Sequence, residues 1–178
     1  MMPTLRPARP ADEPAIDDLC QASARELFPG YYDVQQSPSA VKYFAVLDRT
    51  LIEDGTYYVH DADGEIVACG GWSRRNKLFN GSGAGDDARL LDPASEPARI
   101  RAMFVRADWT RRGLARAILQ HSLDAARAEG FGSVVLAATL PGVPFYESLG
   151  FTVAEQTVDT LPDGVQVPGA RMTRSIEV

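Results

Sequence analysis

The segment Thr110-Arg111-Arg112-Gly113-Leu114-Ala115 constrains this chain more than any other, because of what flanks it. Ile100 to Val105 before it reads as a strand, and Arg116 to Glu129 after it reads as a helix. A strand, a tight basic turn and a helix N-terminus together form a cradle for phosphate. The first-turn amides lack intrahelical partners, and the helix dipole adds partial positive charge there. Gly113, without a Cβ, lets an anion approach the backbone closely. Arg106, Arg111, Arg112 and Arg116 face the single acid Asp108, leaving a local balance of +3 in a chain whose net charge is −6. Positive charge gathered at one spot of an acidic chain points to one bound anionic ligand. By itself an Arg-Arg-Gly turn is more often an ordinary solvated connection.

A second segment adds weight. Pro144-Phe145-Tyr146-Glu147-Ser148-Leu149-Gly150-Phe151 follows another strand candidate, Ser133 to Ala137. The two segments resemble motifs A and B of the GNAT superfamily of acetyl-CoA-dependent N-acetyltransferases. Motif A reads Gln/Arg-x-x-Gly-x-Gly/Ala there, and motif B reads Phe-Tyr-x-x-x-Gly-Phe. The resemblance covers Ala98 to about Val158 and is weak over the N-terminal half.

Composition sets the outer limits. The 178 residues are enough for one substantial core, with 45% hydrophobic and 24% charged residues as in ordinary globular domains. One domain spanning residues 1–178 is expected. The N-terminus carries no apolar run and no stretch is long enough to span a bilayer, so a cytoplasmic protein without membrane partners is expected. Cys20 and Cys69 belong to no C-x-x-C pattern, and His60 and His121 are the only histidines, so neither a metal centre nor a disulfide framework is expected. The acidic balance argues against nucleic-acid binding and suits a cationic substrate such as an amine.

Along the chain, Thr4 to Ala8 reads as a strand, and Asp12 as the cap of a helix from Glu13 to Leu27 ended by Pro29-Gly30. Ser39 to Ile52 reads as a second helix. Thr56 to His60 and Glu65 to Trp72 read as a hairpin turning at Asp61-Ala62-Asp63-Gly64. Asn80 to Asp87 reads as a small, polar, mobile loop. Its Gly83-Ala84-Gly85-Asp86-Asp87-Ala88 matches a dinucleotide fingerprint only by letter, since no strand leads into it and its acids repel a pyrophosphate. After Val105 the order is helix, strand, short helix, then strands over Thr152–Val158 and Arg171–Ile176, with turns at Asp163-Gly164 and Pro168-Gly169. A hairpin followed by a β-α-β unit implies a mixed α/β sheet with helices on both faces.

The resemblance implies more. The expected fold is a GNAT-like, mostly antiparallel sheet with a splayed strand pair that binds coenzyme A, taken up as the co-substrate acetyl-CoA without any metal. The pantetheine arm is expected on the backbone of Met103, Phe104 and Val105, with an oxyanion donor near Phe104. The pyrophosphate is expected on Arg111, Arg112, Gly113, Leu114, Ala115 and Arg116. Tyr146 occupies the position of the general acid, since a phenol with a pKa of about 10 can protonate a departing thiolate. Acceptor specificity in the family comes from the first helices, which marks Phe28, Tyr31 and Tyr32, with Tyr43 beside them. The acceptor is a primary amine of a small molecule or of a protein, and the C-terminal strands offer a homodimer edge.

Three departures from the family pattern stand out. Thr110 replaces Gln or Arg, Pro141 stands where an asparagine often contacts coenzyme A, and Arg99 to Ala102 carries no glutamate to act as base. Glu96 and His60 are the nearby candidates, and neither is assigned that role. The departures leave a second reading open, a catalytically inactive GNAT-fold acyl-CoA-binding or sensor module. A nucleotide-binding protein ranks below both, because no G-x-x-x-x-G-K-[ST] loop is present.

Overall fold

The computed structural model describes residues 2–79 and 88–176. The expected mobile loop over Asn80–Asp87 and its fingerprint lie outside the described residues. Strand β1 (Thr4–Pro7) leads to helix α1 (Glu13–Leu27), then α2 (Gln36–Phe44) and α3 (Arg49–Glu53). The hairpin β2 (Tyr57–Ala62) and β3 (Glu65–Ser73) follows, then β4 (Ala98–Val105), α4 (Leu114–Ala128), β5 (Ser133–Thr139), α5 (Gly142–Ser148), β6 (Thr152–Thr160) and β7 (Gln166–Ser175). The described strands form one seven-stranded sheet in the order β1-β2-β3-β4-β5-β7-β6. Every pairing is antiparallel except that of β4 with β5, so the expected mixed, mostly antiparallel sheet is present.

Helices cover both faces, which is why the central strands are apolar almost throughout. On one face α4 lays Leu114, Ile118, Leu119, Leu123 and Ala126 against Trp72, Ile100, Val134 and Leu136. On the other, Ile16, Leu19, Cys20, Ala24 and Phe28 of the α1 side pack on Tyr57, Val59, Cys69 and Val167. No described helix is long and apolar enough to cross a membrane.

Several local expectations need correction. The helix expected over Ser39–Ile52 is two helices. The chain leaves the helical region at Ala45, and Asp48 starts α3 afresh by accepting from the Thr50 amide at 3.1 Å. Gln21 of α1 holds that break, donating to the carbonyls of Val41 and Ala45. Asp12 precedes α1 but caps none of its amides. It binds Arg6 through both carboxylate oxygens and accepts from the Arg9 amide. The turn expected at Pro168-Gly169 is instead the interior of β7. Pro168 faces only β6, where its missing N–H breaks no second ladder. Gly169 passes so close to β5 that an added Cβ would lie 2.6 Å from the Ala138 carbonyl oxygen. The β2–β3 hairpin turns as expected, with Asp63 and Gly64 both at positive φ and the Gly64 amide donating to Asp61.

The decisive irregularity is in β4. Cys69 of β3 faces Phe104 while Gly71 faces Arg101, so Ala102 and Met103 together oppose Gly70. Ala102 is held at φ +43°, and its carbonyl accepts from the Tyr57 hydroxyl at 2.6 Å. Such a bulge bends its strand and strengthens the local twist. Accordingly β4 pairs with β5 only through Ala98 and Arg99, opposite Val134 and Val135. Beyond that point the two strands part.

Gly71, beside the bulge, admits no side chain: an added Cβ would lie 2.1 Å from the Thr56 carbonyl oxygen and 2.8 Å from the Tyr57 Cα. Gly71→Ala is expected to cost about 2–3 kcal/mol of stability, measured by urea unfolding, because only backbone movement relieves the overlap.

Candidate active site

Where β4 and β5 separate, a cleft of about 940 Å³ opens and runs from the start of α4 to the α1–α2 connection. Of the residues expected at the site, Met103, Phe104, Val105, Arg111, Gly113, Leu114, Ala115, Arg116, Tyr146, Phe28 and Tyr32 line this one cleft. Arg112 and Tyr31 do not. The Arg112 guanidinium lies 4.5 Å over the Trp109 ring and donates to the Asp108 carbonyl, which draws it off the cleft wall. Tyr31 is 49% exposed, because the short turn Phe28–Gly30 sends its ring away from those of Phe28 and Tyr32.

At one end, β4 leads through a short turn over Ala107–Trp109 to Arg111 and Gly113, both left-handed at φ +62° and +79°. The first α4 amide with a backbone acceptor is that of Ala117, which donates to the Gly113 carbonyl at 3.0 Å. The amides of Leu114, Ala115 and Arg116 therefore remain to receive an anion. Arg111 and Arg116 are exposed and have no ionic partner among the described residues. Arg106, by contrast, is bound to Asp108 and Glu65, so it adds little to the charge at the turn. His60, weighed from sequence as a base, is buried beneath this loop with Nε2 3.1 Å from the Leu114 carbonyl. Burial pushes its imidazole below the ordinary pKa, so it supports the loop as a neutral ring.

Along β4, the Arg106 amide donates to the Val67 carbonyl, and the alternation of a ladder then turns the Val105 backbone toward the opening. An extended ligand arm can pair there. The Phe104 backbone is directed otherwise. Phe104 sits opposite Cys69, whose thiol is held below its ordinary pKa first by the Cys20 hydrogen bond, then by Tyr57 and the Phe104 amide. That amide faces β3 and is badly placed to meet an oxyanion in the cleft. The two thiols, distant in sequence, approach to 3.8 Å beneath the bulge.

Tyr146 stands on α5, wedged edge-on between Phe145 and Phe151 at centroid distances of 5.1 and 5.6 Å. Burial pushes its phenol well above the usual value, and its hydroxyl has no hydrogen-bond partner among the described residues. A protonated donor therefore faces the cleft. Glu96, weighed as a base, is held by both arms of Arg89 and by the Asp92 amide, which lower its pKa to about 2, and it lies outside the cleft. No described group of His, Cys, Asp and Glu is arranged to hold a metal ion.

The far end holds residues that the sequence did not single out. Phe44 and Phe79 meet edge-to-face at 5.2 Å and, with Phe28 and Tyr32, form an aromatic wall. Arg101, 3% exposed, reaches Asp48 at 3.3 Å, as does Lys77. Burial alone would raise the Asp48 pKa, but Arg101, the Thr50 amide and Lys77 bring it below the usual carboxylate value. Asp159 of β6 also lines the cleft, and burial raises its pKa. The strand expected from sequence ended at Val158, one residue short of it; β6 continues to Thr160, and pairing with β7 places Asp159 here.

The arrangement matches known proteins. The model of the acetyltransferase (GNAT) family matches residues 19–151. Among solved structures, the chain is similar to a GCN5-related N-acetyltransferase from Rhodopseudomonas palustris, with a TM-score of 0.73 and 18% identity over 98% of this chain and 96% of that one. It is also similar to the PaiA N-acetyltransferase from Thermoplasma acidophilum in complex with coenzyme A, with a TM-score of 0.65 and 11% identity over 98% and 99% of the two chains. A third similar structure is yncA, a putative acetyltransferase from Salmonella typhimurium with acetyl-CoA, with a TM-score of 0.64 and 18% identity over 100% and 96%. No curated protein matches the chain significantly by sequence.

Reversing the charge of Arg111 or Arg116 is expected to weaken coenzyme A binding by about tenfold or more in a calorimetric titration, the scale of one charge-assisted contact. Arg112→Glu is expected to weaken it less, because Arg112 is already engaged on Trp109.

Proposed function

This chain belongs to the GNAT family of acetyltransferases, and on that premise we propose that it moves an acetyl group from acetyl-CoA to a primary amine, of a small molecule or a protein, by direct attack. One observation carries the reading: a single cleft between parted strands has an open helix N-terminus at one end and the unpartnered Tyr146 hydroxyl within it. Acetyl-CoA, when bound, supplies an acetyl group activated as a thioester.

The residues present fit that ligand. The amides of Leu114, Ala115 and Arg116, with Arg111 and Arg116, would hold its diphosphate by charge-assisted hydrogen bonds. The exposed backbone of Val105 would pair with its extended arm, as an added strand pairs with an open sheet edge. The body of each wall is apolar, which strengthens every polar contact made inside.

In the transfer a nitrogen–carbon bond forms and the carbon–sulfur bond breaks; an acceptor that arrives as an ammonium gives up one proton before attack and a second on amide formation, and the sulfur gains one. The Tyr146 Oη holds the proton that the sulfur needs. Its raised pKa keeps that proton in place across the ordinary assay range. The amine's own proton has no acceptor on β4, where Arg101 is buried in its pair with Asp48. Solvent at the cleft mouth takes it in this reading.

Tyr146→Phe is expected to lower kcat by about 100-fold with little change in the KM for acetyl-CoA, followed by thiol release under steady-state conditions. Undiminished turnover would remove the acid role. Coenzyme A binding without thiol release across an amine panel would mark the chain as an acyl-CoA-binding module.

A further inference from the structure

Asp159 sits in the β6 ladder opposite Val167, and residues directly opposite in an antiparallel pair point to the same face. Val167 is fully buried in the cluster beneath α1 and α2, so Asp159 is directed to that face, where it lines the acceptor end of the cleft. Half-buried there, its carboxylate has no hydrogen bond or ion pair among the described residues. Other acids held partly or wholly out of water are engaged: Asp48 with Arg101, Asp12 with Arg6 and Asp54 with Arg75. A carboxylate kept partly out of water without a counter-charge opposes folding, and a cationic ligand would offset that cost.

The surroundings narrow the cation. Phe28, Tyr32, Phe44 and Phe79 present apolar faces to the same end of the cleft. The Tyr32 hydroxyl gives its one hydrogen to the Pro168 carbonyl at 2.8 Å and accepts from the Leu140 amide at 2.9 Å, so it has no proton left to donate to a substrate carboxylate. The buried cation lining this end, Arg101, is already paired with Asp48, so its charge is offset within the protein.

We propose that Asp159 recognises the ammonium group of the acceptor, and that the acceptor is an amine on an apolar, aromatic-sized body without a carboxylate beside the nitrogen. This deepens the acetyl-transfer reading and rests on it. Ammonium and carboxylate pair at the cleft wall while the aromatic faces enclose the apolar body and add cation–π attraction. An amino acid would bring its own carboxylate against Asp159 and find no unpaired cation among the described residues at this end of the cleft.

The test is a calorimetric titration of the protein, holding saturating coenzyme A, with 2-phenylethylamine and with phenylalanine, which differ only by the carboxylate. Wild type is expected to bind the amine at least about tenfold more tightly than the amino acid, and Asp159→Asn to lose about tenfold for the amine. Asp159→Glu is expected to recover part of that loss, and coenzyme A affinity to stay unchanged in both variants. Stability supplies an independent readout. The Asp159 carboxyl has a raised folded pKa, so its ionisation opposes folding above the unfolded value of about 4, and the opposition disappears in acid. Without amine, Asp159→Asn is therefore expected to melt above wild type near pH 7 and to lose that advantage near pH 3.

Failure of wild type to bind 2-phenylethylamine, equal binding by Asp159→Asn, or equal binding of phenylalanine would each overturn the assignment. Amine binding that depends on Asp159, without thiol release from acetyl-CoA, would uphold this site and overturn the transfer reading. Thiol release with amines that is indifferent to Asp159→Asn would do the reverse.

Discussion

The bulge in β4 is the constraint on which the site depends. A sheet that kept β4 and β5 paired to their ends would close the space in which a ligand can lie. Ala102 is instead held in a backbone region that residues with a Cβ seldom adopt, and the Tyr57 hydroxyl bonds its carbonyl from β2, two strands away. Beneath it, Cys20 and Cys69 bring α1 and β3 into contact through buried thiols. The local strain is sustained by that surrounding packing, as is common where a strand must be re-aimed next to a binding site.

From that parting follow two ends with different chemistry. The α4 end is built from backbone amides and exposed arginines, so it suits a strongly charged, solvated group and needs little enclosure. The α1–α2 end is aromatic and largely shielded, so each polar group there matters individually. Tyr146 stands in the cleft with a proton that burial keeps in place, while Asp48 and Asp159 illustrate two fates of an acid near apolar walls. Asp48 is matched by Arg101 and Lys77. Asp159 has no such match, and its carboxyl is held toward the neutral form.

The half of the cleft built on the α4 N-terminus was legible in the linear chain because it is local. A strand, Arg111 to Ala115 and an amphipathic helix are contiguous, and the unpaired first-turn amides follow from helix geometry alone. Helix α1 and the β2–β3 hairpin were legible for the same reason, through apolar period and turn chemistry. Misreadings arose where contacts across the fold overrode local preference. Gln21 and the Asp48 cap break a stretch whose composition suits one helix, and neighbours on both sides carry β7 through Pro168-Gly169. Arg112 looked equivalent to Arg111 and Arg116 until Trp109 took its guanidinium.

The sequence by itself determined that the chain builds a mixed α/β sheet with an open helix N-terminus at one basic strand-to-helix turn, and motif resemblance pointed to Tyr146, which the structure places in the same cleft. These are properties of neighbouring residues, set by backbone geometry and short-range side-chain chemistry. Only the tertiary structure decided what forms the other half of the cleft. Phe44, Phe79, Arg101 and Asp159 come from four separate segments and join Phe28 and Tyr32, which resemblance had marked; their meeting depends on strand register, on the β4 bulge and on which charges find partners. Whether an acid such as Asp48 or Asp159 is neutralised is a matter of distance and burial, and both are set by the folded chain.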